Sequence, residues 1–410
     1  MKQTEKRSTQ KMQIDKTQMW NFVYLMQLPL GMGPGEKMIH DVDWELMYRL
    51  SRKHNVVTLG YAAANNYKGP DQIPAELRKR WKHDSDQSTM QCLYQQAAQD
   101  ELAENLRKEK IQAIFLKGAI LRDLYPSPDL RSMADIDILI HEEDTAKVAE
   151  LMKRSGYKIY AQGSRNEDVY CREPKITIEV HRQLFWKKKT WNEYFQTVWE
   201  RSIVVSDSSC IRSMGVQDFY IHLIGHLIHH MENGGLGIKA FFDLELFWKK
   251  YQEQLSMADM KKLLEKFQFT RFEENIRKLL KNWSNGNGQD SFTEEWTEFI
   301  VQCGAYGNAE NFIIRNVALN DKISKGSRKQ KTRYIIRRLF PAYQEMCNMY
   351  PGAERGIYTY PWFWIRRFLK NGLMRYPAMR NELKEIKQLD DKKIDKINEL
   401  YTKTGMPKGK

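Results

Sequence analysis

The chain has little cysteine and no paired arrangement of it. Its five cysteines, Cys92, Cys171, Cys210, Cys303 and Cys347, are dispersed, with no Cys-x-x-Cys. That argues against a disulfide scaffold or a thiol-ligated metal and fits reduced thiols in a cytoplasm. No run of eighteen apolar residues occurs, so no transmembrane helix is expected. The opening stretch, Met-Lys-Gln-Thr-Glu-Lys-Arg, leads into polar sequence without an apolar core, so export by a signal peptide is not expected. No internal repeat or low-complexity tract is present, and 284–289 reads as a flexible break.

What is present is length and positive charge. At 410 residues the chain can form two or three domains. The formal net charge is +14, unevenly spread: Lys322, Lys325, Arg328, Lys329, Lys331, Arg333, Arg337 and Arg338 fall in one acid-free stretch. Arg366, Arg367, Lys370, Arg375 and Arg380 extend it. Such a surface can attract nucleotide, nucleic acid or an anionic membrane face, or serve only as a solvated helical face.

Apolar spacing predicts an order along the chain. Residues 1–16 read as a disordered tail, 17–110 as an N-terminal helical region and 111–205 as a core of short strands. Residues 206–400 read as a C-terminal helical domain and 401–410 as a second tail. Strands are expected at 111–116, 134–140, 157–161, 169–172 and 176–180, with a helix over 141–155 closed by Gly156. Residues 207–213 read as a loop.

Within the core, Ala134-Asp-Ile-Asp-Ile-Leu-Ile140 alternates strictly, so Asp135 and Asp137 leave one face of a strand together. Adjacent carboxylates repel unless a cation lies between them, and a hard, oxygen-seeking divalent ion suits the position. Seventeen residues before Asp135, Lys117-Gly118 ends another apolar run. A second alternating strand, Lys175-Ile-Thr-Ile-Glu-Val-His181, carries Glu179 as a third carboxylate.

Residues 115–140, with their Leu-Lys-Gly turn, an Arg shortly before the aspartates and then Asp-Ile-Asp, resemble the polymerase-β-like nucleotidyltransferases. They are most similar to a bacterial branch of uncharacterised nucleotidyltransferase family proteins. The resemblance implies an α+β fold, a small mixed β-sheet nucleotidyltransferase core flanked by N-terminal and C-terminal helical regions. It implies a metal-dependent enzyme that moves a nucleoside monophosphate from a nucleoside triphosphate, ATP among them, to a hydroxyl acceptor of unknown identity. Asp135, Asp137 and Glu179 would be catalytic and would hold Mg²⁺ or Mn²⁺, while Lys117, Gly118, Ala119 and Arg131 would contact the nucleotide. Ala119 departs from the superfamily, where a Ser or Gly usually meets phosphate. The interval from Gly118 to Asp135 is also longer than the superfamily norm. A non-catalytic nucleotide- or nucleic-acid-binding module, using the basic stretch, is the alternative.

Downstream, His222, His226 and His230 (or His229) share a helical face. That spacing suits a zinc site, a cleft lining or simple packing. Gly237-Ile-Lys-Ala-Phe-Phe-Asp243 matches a stretch of the close family and adds Lys239 and Asp243 to His181, His222 and His226 as cleft-lining candidates. The aromatic and basic run Tyr358–Leu369 suits a core helix, a dimer contact or an interfacial helix.

Overall fold

Apolar alternation in the middle of the chain builds the sheet around which everything else is organised. The computed structural model describes residues 14–164, 166–185, 188–205, 210–286, 290–319, 327–343, 346–347, 356–374, 386 and 389–407. The chain divides into two compact units, one of residues 1–227 and 237–305, the other of 228–236 and 306–410.

The first unit opens with helices. α1 (Lys16–Gln27) starts at Asp15, whose carboxylate accepts the Gln18 N–H. α2 (Trp44–Lys53) starts in the same way at Asp43. α3 (Val57–Asn66) and the 34-residue α4 (Ala75–Lys108) follow. The strands are β1 (Ala113–Phe115), β2 (Ile136–Ile140), β3 (Lys158–Ser164), β4 (Glu167–Arg172), β5 (Ile176–His181), β6 (Ile203–Val204) and β7 (Ile211–Ser213). They form one mixed sheet in the order β3-β4-β5-β2-β1-β7-β6. Short helices α5 (Gly118–Leu121) and α6 (Thr145–Arg154) join its strands, and Gly156, at φ +80°, follows α6 in the left-handed region where glycine has no Cβ penalty.

The sheet's alternation separates chemistry from packing. Ile136, Ile138 and Ile140 of β2 and Ile176, Ile178 and Val180 of β5 face a core shared with Ala98, Leu102 and Leu106 of α4 and Val148, Leu151 and Met152 of α6. The C-terminal half of α4 and the strands therefore share a hydrophobic core. Beyond the sheet run α7 (Lys189–Gln196), α8 (Val198–Arg201), α9 (Val216–Glu232), α10 (Lys239–Tyr251), α11 (Met257–Phe267), α12 (Thr270–Asn285) and α13 (Ser291–Cys303).

Two expectations change here. Residues 211–213, expected within a loop, form β7 and pair in parallel with β1, Ala113 beside Ile211. Three residues are too short a run for periodicity to reveal. The expected tail from 401 instead continues the second unit's last helix. That unit contains α14 (Ala309–Leu319), α15 (Ser327–Leu339), α16 (Tyr360–Met374) and α17 (Asp391–Lys403). Ile394, Ile397, Leu400 and Tyr401 are buried along one side of α17, and the Tyr401 hydroxyl donates to the Met231 carbonyl at 2.8 Å. Burial of this stripe orders the stretch through residue 407. The N-terminal tail up to residue 13 lies outside the described residues, as does part of the basic stretch. Within that stretch Lys331 is committed to the Leu389 carbonyl at 2.7 Å and to Asp391 at 2.8 Å.

On α16, Phe363 is buried, whereas Trp362, Ile365 and Leu369 are exposed, so the helix is only partly a core element. None of the five cysteines forms a disulfide. Among the described residues, no helix is long and apolar enough to cross a membrane.

Candidate active site

Register brings the site together. β2 and β5 pair in parallel, with Asp137 beside Glu179 and Leu139 beside His181. β4 runs antiparallel to β5 and places Glu167 beside His181. Residues paired across neighbouring strands share a face, so Asp137, Glu179, His181 and Glu167 all leave the face opposite the isoleucine core.

Asp137 is the hub. Its Oδ1 accepts from Lys117 Nζ at 3.0 Å and lies 2.8 Å from His181 Nε2. The other ring nitrogen, Nδ1, lies 3.4 Å from Glu167 Oε2, and Nε2 is 3.7 Å from Glu179 Oε2. One ligand atom each from Asp137, Glu179 and His181 falls within 4.8 Å of the others. Among the described residues this is the one such group of three or more metal-type side chains. Asp135 stands just before β2, half-buried, outside that trio.

The charges are coupled. Burial alone would raise Asp137, but Lys117 and His181 overcome it and hold the carboxyl well below its ordinary range. Burial, reinforced by Asp137 and Asp135, pushes Glu179 up to about 7. Burial and then Asp137 also raise Asp135. Burial disfavours the Lys117 ammonium, yet Asp137 and Asp135 outweigh it and raise its pKa. Three carboxylates thus crowd around one closely bound ammonium, a donor set that suits an added divalent cation.

Lys117 sits at φ +40°, a conformation rare for a residue with a side chain and one that costs free energy. Its carbonyl anchors the turn into α5 by accepting the Ile120 and Leu121 N–H groups. At Gly118, an added Cβ would lie 2.6 Å from Met133 Sδ and 2.7 Å from Arg131 Nη1. The Met133 and Arg131 side chains, packed against this position, favour glycine here. The Ala119 methyl is in the core, and its N–H donates to the Leu116 carbonyl at 3.2 Å.

Arg131, expected to present its fork to phosphate, closes that fork on Asp243. Nε and Nη2 each donate to a separate carboxylate oxygen at 2.7 Å, and the Tyr125 hydroxyl adds a bond to Oδ1 at 2.8 Å. All three side chains are buried. Arg131 and Asp243 therefore tie α10 to the segment before β2. Lys239 donates to the Ser132 carbonyl at 2.5 Å, and burial, with Arg131 second, pulls its pKa down to about 8.

His222 of α9 is buried among Phe185, Phe195 and Phe219. Neither of its ring nitrogens has a hydrogen-bond partner. Burial, with Lys117 second, lowers its pKa to about 3, so it is neutral. The His226 ring lies 6.2 Å from it. His229 and His230 belong to the second unit, and these histidines form no metal-type group among the described residues. Glu167 was missed by sequence reasoning, because β4 alone does not reveal which residue of β5 it faces.

The family model described as an uncharacterised nucleotidyltransferase matches residues 40–285. The chain belongs to this nucleotidyltransferase family. The nucleotidyltransferase match takes in the whole sheet and every site residue above. No curated protein and no solved structure matches the chain.

Proposed function

We propose that this chain is a metal-dependent nucleotidyltransferase. An acceptor hydroxyl oxygen attacks the α-phosphorus of a nucleoside triphosphate. The bond from that phosphorus to the bridging oxygen breaks, and pyrophosphate leaves with the electron pair. The observation that carries the reading is the parallel register that sets Asp137 beside Glu179, with Asp135 at the strand's mouth, in a member of a nucleotidyltransferase family.

A divalent cation there supplies neutralisation of the triphosphate and of the attacking oxygen. Asp137 and Glu179 hold it, and Asp135 extends the anionic surface toward the substrate. As a ligand of that cation beside the acceptor, Glu179 would favour loss of the hydroxyl proton. Lys117 and Lys239 serve as point charges for phosphate oxygens. Lys117 neutralises Asp137 in this structure, and a cation on that carboxylate would leave the ammonium available to a phosphate oxygen. Gly118 keeps the turn compact beneath it.

Two features favour a second reading, a binding module without turnover: Arg131 is committed to Asp243, and the Ala119 N–H to Leu116. Pyrophosphate release from each nucleoside triphosphate, with Mg²⁺ or Mn²⁺ and a panel of hydroxyl acceptors, separates the two. The enzyme reading expects release that Asp137→Asn and Glu179→Gln reduce by at least about a hundredfold, the scale of removing one preorganised electrostatic group. Equal release from wild type and Asp137→Asn would sink it. Steeply salt-dependent RNA or DNA retention with no release would favour the module.

A further inference from the structure

We propose that His181 is a nitrogen ligand of the cation site, held in the required tautomer by Glu167, and that the site selects a transition-metal dication over Mg²⁺. The inference rests on the reading of Asp137 and Glu179 as cation ligands and deepens it by naming the class of ion.

The side-chain placement carries the argument. His181 Nε2 points at the carboxylates, 2.8 Å from Asp137 Oδ1 and 3.7 Å from Glu179 Oε2. The opposite ring nitrogen faces Glu167 Oε2 at 3.4 Å. A metal-bound imidazole needs its other nitrogen protonated and bonded to an acceptor, and a carboxylate is a common one. The β4–β5 register puts the Glu167 carboxylate on that side of the ring, at ion-pair distance, where a small shift would let it accept the Nδ1 proton. With the proton on Nδ1, the Nε2 lone pair is directed toward Asp137 and Glu179. The exchange moves one proton across the ring and leaves the net charge unchanged.

A second observation is independent of the carboxylates. The imidazole of His222 is 2% exposed and has no hydrogen-bond partner. Lys117, Asp137 and His181 all lie close enough to perturb it electrostatically. A buried polar ring left unsatisfied next to a candidate cation site is suited to bonding a group that arrives with the ion, such as a coordinated water. Mg²⁺ is bound chiefly by oxygen and retains several waters, whereas imidazole suits Fe²⁺, Ni²⁺, Cu²⁺ and Zn²⁺. A set of two carboxylates and one imidazole therefore discriminates against Mg²⁺.

The test uses the metal-stripped 410-residue chain, with Mn²⁺ as the paramagnetic probe and Mg²⁺ as the comparison ion. Pulsed electron paramagnetic resonance of bound Mn²⁺ is expected to show ¹⁴N coupling from one directly coordinated imidazole, lost in His181→Gln. Calorimetric titration should show Mn²⁺ binding weakened about 10–100-fold in Glu167→Gln, the usual effect of removing a ligand's supporting partner. Mg²⁺ binding should change less than about threefold in the same variant, as expected for an ion bound through oxygen. Mn²⁺ bound in an Asp137-dependent manner without ¹⁴N coupling overturns the inference and leaves the proposed function standing. Absence of any Asp137-dependent Mn²⁺ binding overturns both. The wild-type spectrum decides the question even if the His181 variant fails to fold.

Discussion

At the residue scale, one carboxyl group sets the pH response of the site. Glu179 titrates near 7 in the folded chain, against an ordinary value of 4.5, because burial and two neighbouring aspartates penalise its charge. A raised folded-state value stabilises fully below the unfolded pKa and is lost as pH rises through the folded one. Metal-free protein should therefore lose on the order of 2 kcal/mol from this group between pH 4.5 and 7, after discounting for a side chain 26% exposed. Glu179→Gln should flatten that slope in urea unfolding measured across the interval. An unchanged slope would mean that Glu179 is not held near neutrality. Asp137 behaves in the opposite sense: Lys117 and His181 keep it ionised, so its contribution is lost only in strong acid.

At the element scale, the buried Arg131–Asp243 pair joins α10 to the segment that leads into β2. Breaking a buried pair leaves an unpaired charge and costs about 3–5 kcal/mol, whereas replacing both partners with apolar residues of similar volume costs far less. Asp243→Asn should lower the thermal midpoint sharply, and Arg131→Met/Asp243→Leu should recover most of the loss. If Arg131 instead acts mainly on phosphate, Asp243→Asn would leave the midpoint intact and change nucleotide affinity. Scanning calorimetry with nucleotide titration on the same variants distinguishes these outcomes. The strands show why this link was hard to foresee. Alternation at Asp135, Asp137 and Glu179 is a local signal, readable in a few residues. The partner of Arg131 lies 112 residues away, and no local pattern encodes that pairing.

At the scale of the whole molecule, buried neutral histidines govern acid tolerance. In the first unit, His54 Nδ1 accepts the Ile238 N–H at 3.1 Å, and Nε2 donates to the Val301 carbonyl at 3.0 Å. It thereby ties α2 to segments 184 and 247 residues distant. Burial lowers its pKa to about 4, and that of His222 to about 3, from 6.5. A depressed folded value contributes stability above the unfolded pKa that is lost as pH falls through the folded one. The chain should lose stability progressively from pH 6.5 toward 3, with roughly 2–3 kcal/mol arising from His54. His54→Gln should reduce the difference between unfolding midpoints measured at pH 7 and pH 4. A difference equal to that of wild type would contradict this role.

The alternating and helical periods of the sequence were enough to determine short strands between helical regions, with Asp135 and Asp137 on one face of a strand and Glu179 on another strand. Those signals are local, because side-chain direction follows from backbone period. Tertiary structure alone decided that His181 and Glu167 join Asp137, that Arg131 spends its charge on Asp243, and that residues 211–213 and 401–407 are ordered. Each of these depends on register or burial between distant segments, and pairing energy is defined only once both partners are in place.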